Sequence, residues 1–155
     1  MKKWLVATLS VAAVVTASAT AQASGDDQAA FNRILKQQQD AWFHEDGRAF
    51  AETFTTTADL VTFNGDHLRT REGIAKGMQY YFDNYIDHNH IKVLDETVQH
   101  SGSDLVFIVR TTCLVQPPDT DCRDGSLSRN TNTLVRRHGR WLQQSFQNTR
   151  VVALP

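Results

Sequence analysis

Between positions 26 and 44 apolar residues recur at three- and four-residue steps. Phe31, Ile34, Leu35, Ala41 and Trp42 thus fall on one side of a helix, with Gln38 in the middle of that side. Gly47 breaks the pattern. Asp46 can cap a second, shorter helix in which Phe50 and Phe54 stand one turn apart. ADLVTFNG then alternates as a strand and stops at the Asn64-Gly65 turn signal. Thr70 can cap a third helix, from position 71 to about 86, that gathers Ile74, Met78, Tyr81 and Tyr85 on one face. From Ile91 onward the period changes to two, and four long strands follow: IKVLDETVQHS, DLVFIVRTTCLV, SRNTNTLVRRH and RWLQQSFQNTRVVAL.

The short connections between these strands, Ser101-Gly102-Ser103, PPDTDCRDG and His138-Gly139, predict antiparallel hairpins. Helices at one end of the chain and strands at the other imply an α+β domain, with the helices on one face of a strongly bent antiparallel sheet. The last strand is unusual. WLQQSFQNTRVV carries neutral amides and hydroxyls on both faces, although apolar residues flank it. Simple alternation puts Gln143, Ser145 and Gln147 on the face of Trp141, and Gln144, Phe146 and Asn148 on the other.

The first 23 residues change the bookkeeping of charge. Two lysines, an apolar stretch and the small residues ending Ala21-Gln22-Ala23 have the form of a secretory signal peptide cleaved after Ala23, leaving one domain over 24–155. Thr8, Ser10, Thr16, Ser18 and Thr20 interrupt the apolar run, against a membrane anchor, so no membrane association is expected after cleavage. Losing Lys2 and Lys3 takes the 16 basic residues to 14 against 17 acidic ones, a formal charge of −3. The densest basic cluster, Arg136-Arg137 with Arg140, flanks a turn. Nucleic acid is not an expected partner. Cys113 and Cys122 remain after cleavage, and a periplasmic or secreted location favours a bridge between them that staples one loop.

The D-G break, AFAETF, ADLVTFNGDHLRTREGI and the terminal GRWLQQSFQNTRV together resemble the SgcJ/EcaC branch of the nuclear transport factor 2-like (SnoaL-like) superfamily. That resemblance implies a cone-shaped fold, a pocket between the sheet and the first helix, and a homodimer packed sheet against sheet. In that dimer, Leu142 and Phe146 would lie on the outer face. Against ketosteroid isomerase-like members, Gln38 stands where a catalytic tyrosine would be and Thr62 where a carboxylate base would be. Neither can do its counterpart's work. The expected pocket is lined by Gln38, Thr62, Gln143, Ser145 and Gln147, with Trp42, Phe54, Leu60 and Tyr81 supplying apolar area.

Other chemistry is thin. His88 and His90 lack a third ligand fixed by spacing, so no metal is expected, and nothing calls for a cofactor. His44 can meet the carbonyls at the end of the first helix. Asp119, Asp121 and Asp124 do not complete a calcium loop, and no G-x-S-x-G or phosphate loop occurs. Arg110, in mid-strand, is assigned to an exposed sheet face, with an inward position that needs a partner and binds an acidic ligand as the alternative. The expected function is an exported protein that holds a neutral or weakly polar aromatic or polycyclic small molecule by stacking and amide hydrogen bonds. The alternatives are an enzyme on such a ligand (an oxidoreductase, isomerase or cyclase) and a non-catalytic association module.

Overall fold

A computed structural model describes residues 17–153 of the chain, with side chains from residue 25 onward. The expected leader lies outside the described residues as far as position 16. Three helices precede most of the sheet: α1 (Ala17–Phe43), α2 (Gly47–Ala51) and α3 (Thr70–Asn84). The strands are β1 (Phe54–Val61), β2 (His67–Arg69), β3 (His90–His100), β4 (Leu105–Val115), β5 (Ser128–Arg137) and β6 (Arg140–Arg150). They form one sheet in the order β2-β1-β6-β5-β4-β3.

The four C-terminal strands pair as consecutive antiparallel hairpins, as their turns require. The sheet as a whole is mixed, because β1 runs parallel to β6. A parallel neighbour cannot be reached through a tight turn, and here the connection between the two strands is about half of the chain. Two local readings also change. Phe54 does not extend α2; it opens β1, where the β-branched run Thr55-Thr56-Thr57 favours an extended backbone. The three-residue β2 then turns back on β1 with Leu60 opposite Leu68.

The helices begin where their caps put them. The Asp46 side chain accepts from the Ala49 amide at 2.8 Å. Thr70, at φ +65°, accepts from the Gly73 amide at 3.2 Å through its hydroxyl. At the entry to α2, Gly47 lies against α3 so closely that an added Cβ would stand 2.5 Å from the Ala75 carbonyl oxygen.

Two apolar clusters hold the layers together. One joins α2, α3 and β1 through Phe50, Phe54, Leu60, Ile74, Met78 and Phe82. The other packs Phe31 of α1 on Val106, Ile108, Leu134 and Trp141 of the sheet. Asp27 ties α1 to the sheet beside this second cluster. It accepts from Arg136 Nη2 at 2.6 Å and from Trp141 Nε1 at 2.8 Å.

The strand register is interrupted in β3 between Val93 and Asp95, in β1 between Phe54 and Asp59, and between β5 and β6, where Leu134 faces Gln143 but Thr133 faces Ser145. Gln144 is the extra residue in that last bulge. An extra residue bends its strand and exchanges the faces of everything beyond it. The disulfide Cys113–Cys122 joins the end of β4 to the loop that leads to β5.

Candidate functional site

Strand pairing arranges the concave face of the sheet in rows. Val106, Leu134, Gln143 and Phe54 make a closed, buried row that runs from the second apolar cluster to the first. The next row is Ile108, Asn132, Phe146 and Leu60; above it run Glu96, Arg110, Asn130 and Asn148; above that, Val93, Thr112, Ser128 and Arg150. Polarity therefore rises from the closed end toward the open one. Opposite these rows stand Leu35, Gln38 and Trp42 of α1, Phe50 of α2, and Met78 and Tyr81 of α3.

The space between is a cavity of about 250 Å³. An engineered apolar cavity of about 150 Å³ is enough to hold benzene, so this one has room for more than a single ring. Its two sides differ in character. The helical side is mainly apolar and aromatic, interrupted by Gln38, whereas the sheet side sets amides, hydroxyls and the guanidiniums of Arg110 and Arg150 around Leu60 and Phe146.

Five of the residues expected at the site line the cavity: Gln38, Trp42, Leu60, Thr62 and Tyr81. Phe54, Gln143, Ser145 and Gln147 do not. Phe54 and Gln143 lie in the closed row beneath it. Ser145 and Gln147 are turned away by the bulge at Gln144, which brings Phe146, Asn148 and Arg150 inward in their place. Phe146 is thus a cavity residue and not part of an outer contact face.

Arg110 is the largest correction. It is 3% exposed and lines the cavity, and its Nε donates to Glu96 Oε2 at 2.6 Å. Its inward direction follows the parity of Val106 and Ile108. Leu105, Phe107 and Val109 are apolar too, so parity alone did not choose a face for the strand. Asn130 and Asn132 were also missed, although they share parity with the buried Leu134.

The floor is only partly satisfied. Asn132 Nδ2 donates to Asn130 Oδ1 at 2.9 Å, and Asn130 Nδ2 donates to Thr112 Oγ1 at 3.1 Å. Asn132 Oδ1, Asn148 Oδ1 and the indole N–H of Trp42 are buried with no hydrogen-bond partner. Buried polar groups left so are uncommon and costly.

At the mouth, the turn after β1 meets α3. The Thr62 hydroxyl donates to Asn64 Oδ1 at 2.5 Å, and the Tyr81 hydroxyl reaches both Asn64 Oδ1, at 2.9 Å, and Asp66 Oδ2. Burial, reinforced by the carboxylate of Asp66, pushes the Tyr81 phenol above its ordinary pKa. Among the described lining residues there is no Asp, Glu or His.

The histidines lie elsewhere. His44 Nδ1 meets the Asp40 carbonyl at 2.8 Å, as its place at the helix end suggested. His90 stacks on Phe43, while His88 pairs with Glu45 at 3.1 Å beside Asp87.

The arrangement of layers has many solved counterparts. A domain of unknown function with a cystatin-like fold from Nostoc punctiforme superposes with a TM-score of 0.75 at 27% identity, over 83% of this chain and 80% of that one. A nuclear transport factor 2-like protein with a cystatin-like fold from Novosphingobium aromaticivorans gives 0.71 at 14% identity, over 91% and 92%. This is the nuclear transport factor 2-like fold. Within it, ActVI-ORFA from Streptomyces coelicolor matches this cone at 0.67 with 16% identity, over 79% of this chain and 96% of that one. No protein-family model and no curated protein matches the sequence.

Proposed function

We propose that this nuclear transport factor 2-like cone is a binding protein for a small molecule with an aromatic or polycyclic body, held between the helical wall and the amide floor. One observation carries the reading. Trp42 Nε1, Asn132 Oδ1 and Asn148 Oδ1 are buried without partners around a cavity large enough for a ligand that could satisfy them. A binder is favoured over an acid–base enzyme because no carboxylate or imidazole lines the cavity among the described residues. Tyr81, with its pKa raised, is a poor base at neutral pH.

The motif resemblance supports placing the chain in the SgcJ/EcaC branch. The pattern of the first 23 residues and the Cys113–Cys122 bridge support export to the periplasm or beyond. No helix among the described residues is long and apolar enough to cross a membrane. We extend the proposal to a homodimer formed through the outer face of the sheet, where Phe107 of β4 is left exposed.

The test is native mass spectrometry of protein expressed with its leader and purified from the periplasm. A co-purifying small molecule that is lost on denaturation supports binding. An empty protein, which also shows no thermal shift across an aromatic ligand library, would leave the association module as the better reading.

A further inference from the structure

We infer that the ligand carries a carboxylate, seated on the unoccupied edge of the Arg110 guanidinium; this rests on the proposed binding function and names its substrate class. Arg110 is nearly inaccessible to solvent, yet its Nε contact with Glu96 is the one hydrogen bond its guanidinium makes among the described residues. The Nη groups therefore remain without partners in a side chain that lines the cavity. A planar fork with two parallel N–H donors fits a two-oxygen acid.

Stability alone is a weak reason for the pair. Buried ion pairs are often no more stabilising than apolar residues of the same volume, and this one stands in a row of uncharged side chains, Asn130 and Asn148. Glu96 balances Arg110 and orients it. The remaining charge around the cavity is positive, because Arg123 and Arg150 line it while Asp66, bonded to Tyr81, is the acid at the mouth. An anion would be drawn inward by this arrangement. The orphaned oxygens of Asn132 and Asn148 call for a donor on the same molecule, so the class is an aryl carboxylic acid that also bears a hydroxyl.

The experiment titrates the full protein with 6-hydroxy-2-naphthoate, with the matching uncharged 6-hydroxy-2-naphthamide and with 2-naphthol, by calorimetry at neutral pH. The acid is expected to bind about tenfold or more tighter than the amide, the worth of a charge-assisted hydrogen bond. Arg110→Lys should lose most of that preference, and the uncharged pair Glu96→Gln with Arg110→Gln nearly all of it, each in protein shown by melting to be folded. Equal binding of acid and amide would overturn the carboxylate inference and leave the binding function standing. So would a preference that survives in both variants, since it would place the acid on the mouth arginines. Absence of binding by all three probes would overturn the inference and the binding function together.

Discussion

Gln38 and Gln143, from the first helix and the last strand, donate their side-chain amides to the same atom, the hydroxyl oxygen of Thr53, at 3.1 and 3.2 Å. That hydroxyl in turn donates to the Phe50 carbonyl at 2.9 Å. The two amides therefore pin α1 and β6 to the short connection between α2 and β1. Gln143, which by alternation belonged in the cavity, is spent on this joint.

Replacing Thr53 by valine keeps the shape and strands both amides, so it should destabilise the fold by about 3 kcal/mol. Gln143→Leu should be neutral or stabilising by up to about 1 kcal/mol, because Gln143 Oε1 has no partner to lose and Thr53 keeps Gln38. Denaturant melts of the two variants decide it; equal losses would show that the joint is not centred on Thr53.

The exchange of faces beyond Gln144 gives opposite expectations for adjacent residues. Phe146→Ala should cost about 3 kcal/mol by removing a cavity wall packed on the first apolar cluster. Gln147→Ala, on the exposed side, should stay within about 0.5 kcal/mol. Equilibrium unfolding that ranks the two variants the other way would put the bulge in the wrong place.

Gly47→Ala should destabilise by about 1 to 3 kcal/mol, since the new methyl meets the α3 backbone at Ala75 and Gln79 and neither can rotate away. A thermal melt unchanged from wild type would mean that α2 and α3 can separate freely.

Alkaline stability should carry the signature of Tyr81. In the unfolded chain the phenol loses its proton near pH 10, its ordinary value, whereas burial and Asp66 hold the proton on in the fold. Above pH 10 the unfolded state thus binds fewer protons, and stability falls as pH rises through the window up to the raised pKa. Below pH 10 the contribution is constant. The stability difference between wild type and Tyr81→Phe should therefore be flat from pH 7 to about 9 and move against wild type above 10. A difference that stays flat would refute it.

The proposed homodimer predicts that Phe107→Lys lowers the mass in solution while leaving the fold intact, because a charge would then lie in an apolar contact. Sedimentation at micromolar concentration, run on both proteins, reads the result directly. A wild-type protein that sediments as a monomer counts against the outer face as an interface.

The four long strands were legible because alternation sustained over ten or more residues, punctuated by glycine turns, leaves little choice of element or pairing. Shorter features were not. β2 is too brief to show a period, and Phe54 follows Phe50 at a spacing that suits a helix even though the threonines after it prefer a strand. The lining of the cavity was half legible. Gln38, Trp42 and Tyr81 follow from helical periodicity alone, but Ser145 and Gln147 depended on uninterrupted pairing. No glycine or proline near Gln144 signals the interruption. Arg110 needed knowledge of its partner, and Glu96 becomes that partner only when β3 and β4 are set in register.

The bulge at Gln144 makes the interior a matter of phase. Upstream of it the odd-numbered residues of β6 face the core; downstream the even-numbered ones do, so a one-residue insertion with a compensating deletion nearby could trade Phe146 and Asn148 for Ser145 and Gln147 without changing the strand's composition. Homologous chains could in this way exchange an aromatic wall for a hydroxylated one while keeping the same length and nearly the same residues. Specificity in such a lineage would be inherited through the position of a gap as much as through the identity of any side chain.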